Sequence, residues 1–109
     1  MKVTELAEKL GAQLLTGETG ADSQVMDVYC CDLLSWVMAH APKGAAWITV
    51  HTNMNIVAVA SLSELSCIIV PEGIEMEEAT LKKAVREGIP VISSTLSAYQ
   101  ICCMACKNL

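Results

Sequence analysis

The chain alternates short apolar runs with longer amphipathic stretches, and the rhythm is clearest between Ala46 and Gly73. Two β-branched runs, Trp47–Val50 and Cys67–Val70, flank a small-residue apolar segment, Asn55–Leu65. Short runs that are apolar on both faces suit strands buried within a parallel sheet. The intervening segment is long enough for a crossover and too long for a hairpin. Ile56-Val57-Ala58-Val59-Ala60 would also suit a strand by β-branching. Asn55 as an N-cap, the small residues Ala58, Ala60 and Ser61, and the lack of polar–apolar alternation favour a helix. The pattern therefore predicts a βαβ unit whose helix is apolar nearly all round and so buried on more than one side.

The same reading extends along the chain. Thr4 is expected to cap a first helix that carries Leu6, Ala7 and Leu10 on one face and stops at Gly11. Ala12–Leu15 reads as a short strand, Thr16-Gly17-Glu18-Thr19-Gly20 as a turn, and Val25–Cys31 as a second strand. Within that strand Met26, Val28 and Cys30 point one way, and Asp27 and Tyr29 the other. Asp32 is expected to cap a helix reaching about His40, with Leu33, Leu34, Val37, Met38 and Ala41 as its apolar stripe; Pro42-Lys43-Gly44 ends it. Glu75–Glu87 is the strongest helix signal. Its first turn is acidic, Lys82, Lys83 and Arg86 lie toward its end, and Gly88 stands at the C-terminal cap, an order that complements the helix dipole. Pro90–Ser93 reads as a strand and Ser97 as the cap of a last helix through Lys107. Strands starting near Ala46, Cys67 and Pro90 are each followed by a helix. Three successive βα units imply parallel strands and right-handed crossovers. The expected architecture is one compact α/β domain, mostly parallel, built from successive βα units with helices on both faces.

Composition narrows the function. A chain of 109 residues is one domain. Its net charge of −5 and scattered Lys and Arg argue against a nucleic-acid partner. No apolar run is long enough to span a membrane. The N-terminal MKVTELAEKLG is charged and amphipathic rather than a signal peptide, so the expected location is cytoplasmic. Six cysteines would suggest disulfides in a secreted chain; here they sit in apolar runs and read as reduced, buried small hydrophobes.

Chemistry is sparse. The chain has no GxxxxGK[ST] phosphate loop, no GxGxxG, no GxSxG and no HExxH. Nothing points to a dedicated triphosphate site, a catalytic constellation or a cofactor. Ligands of open parallel sheets sit outside the carboxyl ends of the strands. There the βα loops supply His51, Thr52, Asn53 and Asn55, then Glu72 and Gly73 after Pro71, then Ser94 and Thr95 after Ser93. The loop at His51–Asn55 precedes a helix N-terminus, where free N–H groups would favour an anion. These residues are the candidate ligand-binding set; ordinary caps and turns are the alternative account of them. A last-helix stripe of Tyr99, Cys103 and Cys106 offers two thiolates. Zinc needs four ligands, and no second CxxC is present. A metal or redox role for Cys103 and Cys106 is therefore the alternative to ligand sensing. An apolar surplus for so small a domain predicts a homodimer burying Asn55–Leu65 or the last helix.

The run VYCCDLLSWVMAHAPKGAAWITVHTNMNIVAVASLSELSCIIVPEG, followed by an acidic helix, GIPVISS and SAYQI, resembles the DRTGG domain family over roughly residues 1–107. DLLSW, NMNIVAVASL and GIPV carry the resemblance. Such domains occur in some phosphotransacetylases, beside CBS domains and as short stand-alone proteins, and are similar to the N-terminal domain of HPr kinase/phosphorylase. The resemblance implies a regulatory, ligand-sensing or oligomerising module, with a partner enzyme where it acts on one. It covers only a non-catalytic part of HPr kinase, so a serine-kinase label would not imply activity. The family's Asp-Arg pair should fall near Asn53–Asn55, where this chain has no charge. Its Thr-Gly-Gly should fall near Pro71-Glu72-Gly73, where only Gly73 matches.

Overall fold

The computed structural model describes all 109 residues. The elements are α1 (Val3–Lys9), β1 (Gln13–Leu14), β2 (Asp27–Cys30), α2 (Leu34–His40), β3 (Ala45–Ile48), α3 (Asn55–Leu62), β4 (Cys67–Val70), α4 (Glu78–Glu87), β5 (Val91–Ser93) and α5 (Ala98–Asn108). They form one five-stranded sheet in the order β1-β5-β4-β3-β2. Strands β2 to β5 are parallel neighbours in chain order, and β1 closes the far edge antiparallel to β5.

Period-two alternation in the central strands feeds two cores. Ala45 and Trp47 of β3 and Ile68 and Val70 of β4 meet Val37 of α2, Ile56, Val57, Val59 and Ala60 of α3, and Ala84 of α4. Ala46, Ile48, Cys67 and Ile69 face the other way, onto Val3, Leu6 and Ala7 of α1 and Ile101 and Ala105 of α5. Right-handed crossovers between strands taken in sequence leave every crossover helix on one face. That is why α2, α3 and α4 share a layer. After β5 the chain returns to the face it left before α2, and α5 joins α1 there.

Most boundaries fall where the sequence puts them. β4 is the predicted strand, Gly88 ends α4 at φ +73°, and Ser97 caps α5 by accepting from the Gln100 N–H at 3.2 Å. Several expectations are corrected. Thr4 is not a cap: α1 starts at Val3, and the Glu5 carboxylate satisfies the Lys2 N–H at 2.8 Å. Asp32 does not cap α2, because its carboxylate is engaged with β3, and α2 starts at Leu34 without a side-chain cap. Of the α2 stripe only Val37 is buried; Leu33 is 61% and Met38 50% exposed. Asn55 is the first helical residue of α3, and the oxygen that caps its N–H belongs to Asn53, at 2.9 Å. Helix α3 packs between α2 and α4 and buries Ile56, Val57, Val59 and Ala60, while Leu62 at its end is 77% exposed. The cysteines are not uniformly core. Cys67 alone is buried; Cys31, Cys102 and Cys103 are half-buried, and Cys30 and Cys106 are exposed. No helix is long and apolar enough to cross a membrane.

Candidate functional site

The carboxyl ends of β2, β3, β4 and β5 lie along one edge, and the loops that leave them are held by side chains. At the end of β2 the Asp32 carboxylate accepts from the Thr49 hydroxyl at 2.8 Å and from the Val50 N–H at 3.0 Å. Its backbone oxygen accepts from His51 Nε2 at 2.6 Å, so the imidazole carries its proton on that nitrogen. Beside it, Trp47 Nε1 donates to the Cys31 carbonyl at 2.8 Å. On the other flank the buried Thr80 of α4 donates to the Thr52 carbonyl at 2.7 Å, and the Thr52 hydroxyl donates to Glu77 at 3.1 Å. The β3–α3 loop is thus tied both to the end of β2 and to the start of α4.

The next two loops are tied to each other. The Glu72 N–H donates to the Leu96 carbonyl and the Gly73 N–H to the Ser94 carbonyl, both at 2.8 Å. Glu72 and Gly73 are left-handed, at φ +59° and +64°, and the Ile74 N–H donates to the Pro71 carbonyl at 3.2 Å. Two successive positive φ angles define a primed turn, which glycine occupies without strain. Ser94 is buried; its hydroxyl accepts from the Leu96 N–H at 3.1 Å, and Thr95 beside it is exposed.

The sequence-predicted residues therefore fall into two groups along one edge. His51, Thr52, Asn53 and Asn55 form one; Glu72, Gly73, Ser94 and Thr95 form the other. His51, Thr52 and Ser94 spend their polar atoms on the loops themselves. Asn53, Asn55, Glu72 and Thr95 present side chains to solvent. The expectation of free amides at the start of α3 is corrected. Asn55 N–H is taken by Asn53 Oδ1, Ile56 N–H by the Asn53 carbonyl at 3.3 Å and Val57 N–H by the Met54 carbonyl at 3.1 Å. Sequence reading missed Thr49, Glu77 and Thr80, and gave Asp32 the wrong partner. Their partners are distant in sequence, so no local spacing marks them. Of the predicted set only Gly73 lines a cavity, an open depression of about 350 Å³ shared with Gln13, Leu15, Ile74, Met76 and Leu81.

Cys103 and Cys106 lie well down α5, away from these loops. No group of three or more His, Cys, Asp or Glu side chains is placed to hold a metal ion. Tyr99 is 78% exposed, and the neighbouring Cys103 thiol one turn on pushes its hydroxyl pKa up. The Cys30 thiol is also pushed up, by burial first and by its neighbour Cys102 next. Burial drives the Cys67 thiol up to about 12, against a hydrogen bond from the Ser66 hydroxyl that lowers it.

Fold and site define a class: a small, three-layer, mostly parallel α/β module with structured βα loops at one edge of its sheet. The family model of the DRTGG domain matches residues 5–106, and the chain belongs to that family. Among solved structures it is similar to the CBS and DRTGG domains of the regulatory region of Clostridium perfringens pyrophosphatase, crystallised with the activator diadenosine tetraphosphate. The TM-score is 0.74 at 15% identity, over 99% of this chain and 47% of that one. This chain thus spans about half of its structural neighbour, and the likeness is one of fold. No curated protein matches.

Proposed function

We propose that this chain is a non-catalytic regulatory module that senses a small nucleotide-like metabolite at the carboxyl edge of its sheet. The observation that carries the reading is the doubly tied β3–α3 loop. Hydrogen bonds to Asp32 and Glu77 and from Thr80 hold the loop, while the Asn55 side chain and the amide nitrogen of Asn53 remain free to contact a ligand. A site held this way loses little conformational entropy on binding. Glu72, Gly73, Ser94 and Thr95 extend the same edge over the neighbouring strands. The pyrophosphatase regulatory region binds a dinucleoside polyphosphate, which supports a nucleotide as the first ligand class to test.

The chemistry of the edge sets how such a ligand would be read. The α3 amides are already bonded, and Asp32, Glu72 and Glu77 are acidic. A bare polyanion is disfavoured there, so a nucleotide is taken with its divalent cation, and the amide side chains of Asn53 and Asn55 read its polar groups. No nucleophile–base pair is assembled at this edge, which supports a binding role over catalysis. On the same reading the module works in the cytoplasm as a homodimer that acts on a partner enzyme. Tyr99 on α5 and Leu33, Trp36 and Met38 on α2 supply the exposed apolar surface for association.

Isothermal titration with mononucleotides and dinucleoside polyphosphates, with and without Mg²⁺, tests the sensing role. Saturable binding that Asn53→Ala or Asn55→Ala weakens at least tenfold supports it. Heats that are nil for all of them overturn it. Light scattering that returns only monomer at micromolar concentration overturns the homodimer.

A further inference from the structure

The depression that Gly73 lines lies where β1 closes the sheet. The antiparallel pairing of β1 with β5 sets Gln13 directly opposite Ser93, and both residues line it. Side chains so paired stand on one face about 5 Å apart. The facing wall is the β4–α4 connection, with Glu75, and Leu81 of α4. Leu15, Ile74, Met76 and Leu81 are half-buried and pack against the core beneath α2, α3 and α4. They give the depression, about 350 Å³, an apolar lining, and its size is that of a small-molecule site.

Two relationships join it to the β3–α3 loop. The Gly73 N–H, bonded to the Ser94 carbonyl at 2.8 Å, fixes its rim to the loop after β5. Thr80 and Leu81 are consecutive in α4: Thr80 holds the Thr52 carbonyl and Leu81 lines the depression. Strand β5 stands two places from β3 in the sheet, or about 10 Å, a span that a nucleoside polyphosphate covers.

The polar groups select the occupant. The Gln13, Ser93 and Glu75 side chains make no hydrogen bond or ion pair within the protein. The Gln13 carboxamide offers a donor beside an acceptor, and the Glu75 carboxylate only accepts. No Lys or Arg lines the depression, so a phosphate finds no counter-charge there. A flat ring with an amino group next to a ring acceptor matches this set. Its two amino protons go to Gln13 and Glu75, and its ring nitrogen accepts from the Gln13 amide. Adenine has that edge and is the base that glutamine pairs with through two bonds; the double-acceptor edge of guanine calls for Arg or Lys.

We propose that this depression is an adenine pocket, in which Gln13 and Glu75 read the base while the phosphate end reaches the β3–α3 loop; the proposal rests on the nucleotide-sensing reading above. Ring and apolar lining supply contact area, and the two side chains supply the choice of base.

The full chain is titrated calorimetrically with ATP, GTP and ITP, each with Mg²⁺. ITP carries a carbonyl oxygen where ATP has its amino group, and so turns an acceptor toward Glu75. ATP is expected to bind tighter than ITP or GTP by about tenfold or more. Glu75→Gln, whose amide can donate to that oxygen, narrows the ATP-to-ITP ratio to about threefold or less. Asn53→Ala weakens ATP and ITP by the same factor. The methyl resonances of Leu15, Ile74 and Leu81 shift when ATP is added. Binding without base preference, a preference that Glu75→Gln leaves unchanged, or methyl resonances that stay in place overturn the pocket and leave the sensing role standing. No heat with any of the three also overturns the pocket; the sensing role falls only if the dinucleoside polyphosphates are silent too.

Discussion

The Asp32 carboxylate accepts the Thr49 hydroxyl at 2.8 Å across the ends of two neighbouring parallel strands, β2 and β3. Thr49 is 1% exposed, so its hydroxyl has no water to replace this partner. The same carboxylate receives the Val50 N–H, and the backbone oxygen of Asp32 holds His51. One residue thereby sets where β3 stops and how the following loop leaves the sheet.

Asp32→Ala strands the buried Thr49 hydroxyl and the Val50 N–H together. The expected cost is about 1–3 kcal/mol of stability by urea unfolding, the range for an unsatisfied buried donor. Asp32→Asn keeps the side-chain oxygen and loses less than half of that. An alanine variant as stable as the native chain would show that the contact does not organise the edge.

Glu72 carries the left-handed strain of the turn at Pro71–Ile74. Its φ of +59° costs a side-chain-bearing residue on the order of 1 kcal/mol, and glycine offsets part of that gain through its freer unfolded state. Glu72→Gly is expected to raise stability by about 0.5 kcal/mol. Gly73→Ala is expected to lower it by about 1 kcal/mol through backbone strain alone, since a Cβ at Gly73 would meet no atom within 4 Å. A Glu72→Gly variant that melts lower than the native chain contradicts this account.

How much of this was legible depends on the range of each interaction. β4 and α5 are readable because their determinants are local: an uninterrupted CIIV run in one, a capping serine three residues before its glutamine in the other. Helix α3 is readable because an octamer with six apolar residues and no charge has to be buried on several sides. Asp32 misleads because aspartate before an apolar stretch reads as a cap, while its actual partner lies on β3, seventeen positions away. The exposed Leu33 and Met38 mislead for a related reason. Periodicity locates an apolar stripe but does not say whether the sheet is wide enough to cover it, and α2 sits over the edge strand. The candidate edge was legible as a place, through the rule for parallel sheets. The hydrogen bonds that shape it were not, because they join residues far apart in the chain.

Thr80 anchors the start of α4 to the β3–α3 loop through its bond to the Thr52 carbonyl at 2.7 Å. Thr80→Val preserves the buried shape and removes the donor, at a cost of about 1–2 kcal/mol. Amide hydrogen exchange is expected to speed up in residues 51–57 and in the first turn of α4, with strands β4 and β5 unchanged. Thr52→Val removes only the exposed bond to Glu77, and its stability change stays within about 0.5 kcal/mol. Equal effects of the two substitutions would refute the anchoring role.

Cys67 links the core to pH. Burial pushes its thiol from 9.0 up to about 12 in the folded chain, against the ordinary value once unfolded. Above pH 9 the unfolded chain therefore releases this proton first, and the native state keeps it. The contribution is complete below pH 9 and declines as pH rises toward 12, at a rate on the order of 1.4 kcal/mol per pH unit. The measurement is a difference, which cancels every other contribution: native chain against Cys67→Ala, by urea unfolding at pH 8 and pH 10. The native chain is expected to lose more stability over that interval by about 1 kcal/mol or more. Thiol titration at pH 8 gives an independent reading. Cys67 reacts with an aromatic disulfide reagent only after denaturant is added, since it is both inaccessible and protonated. A sixth fast-reacting thiol in the folded protein, or identical pH slopes for the two chains, would remove Cys67 from the sealed core on which β4 rests.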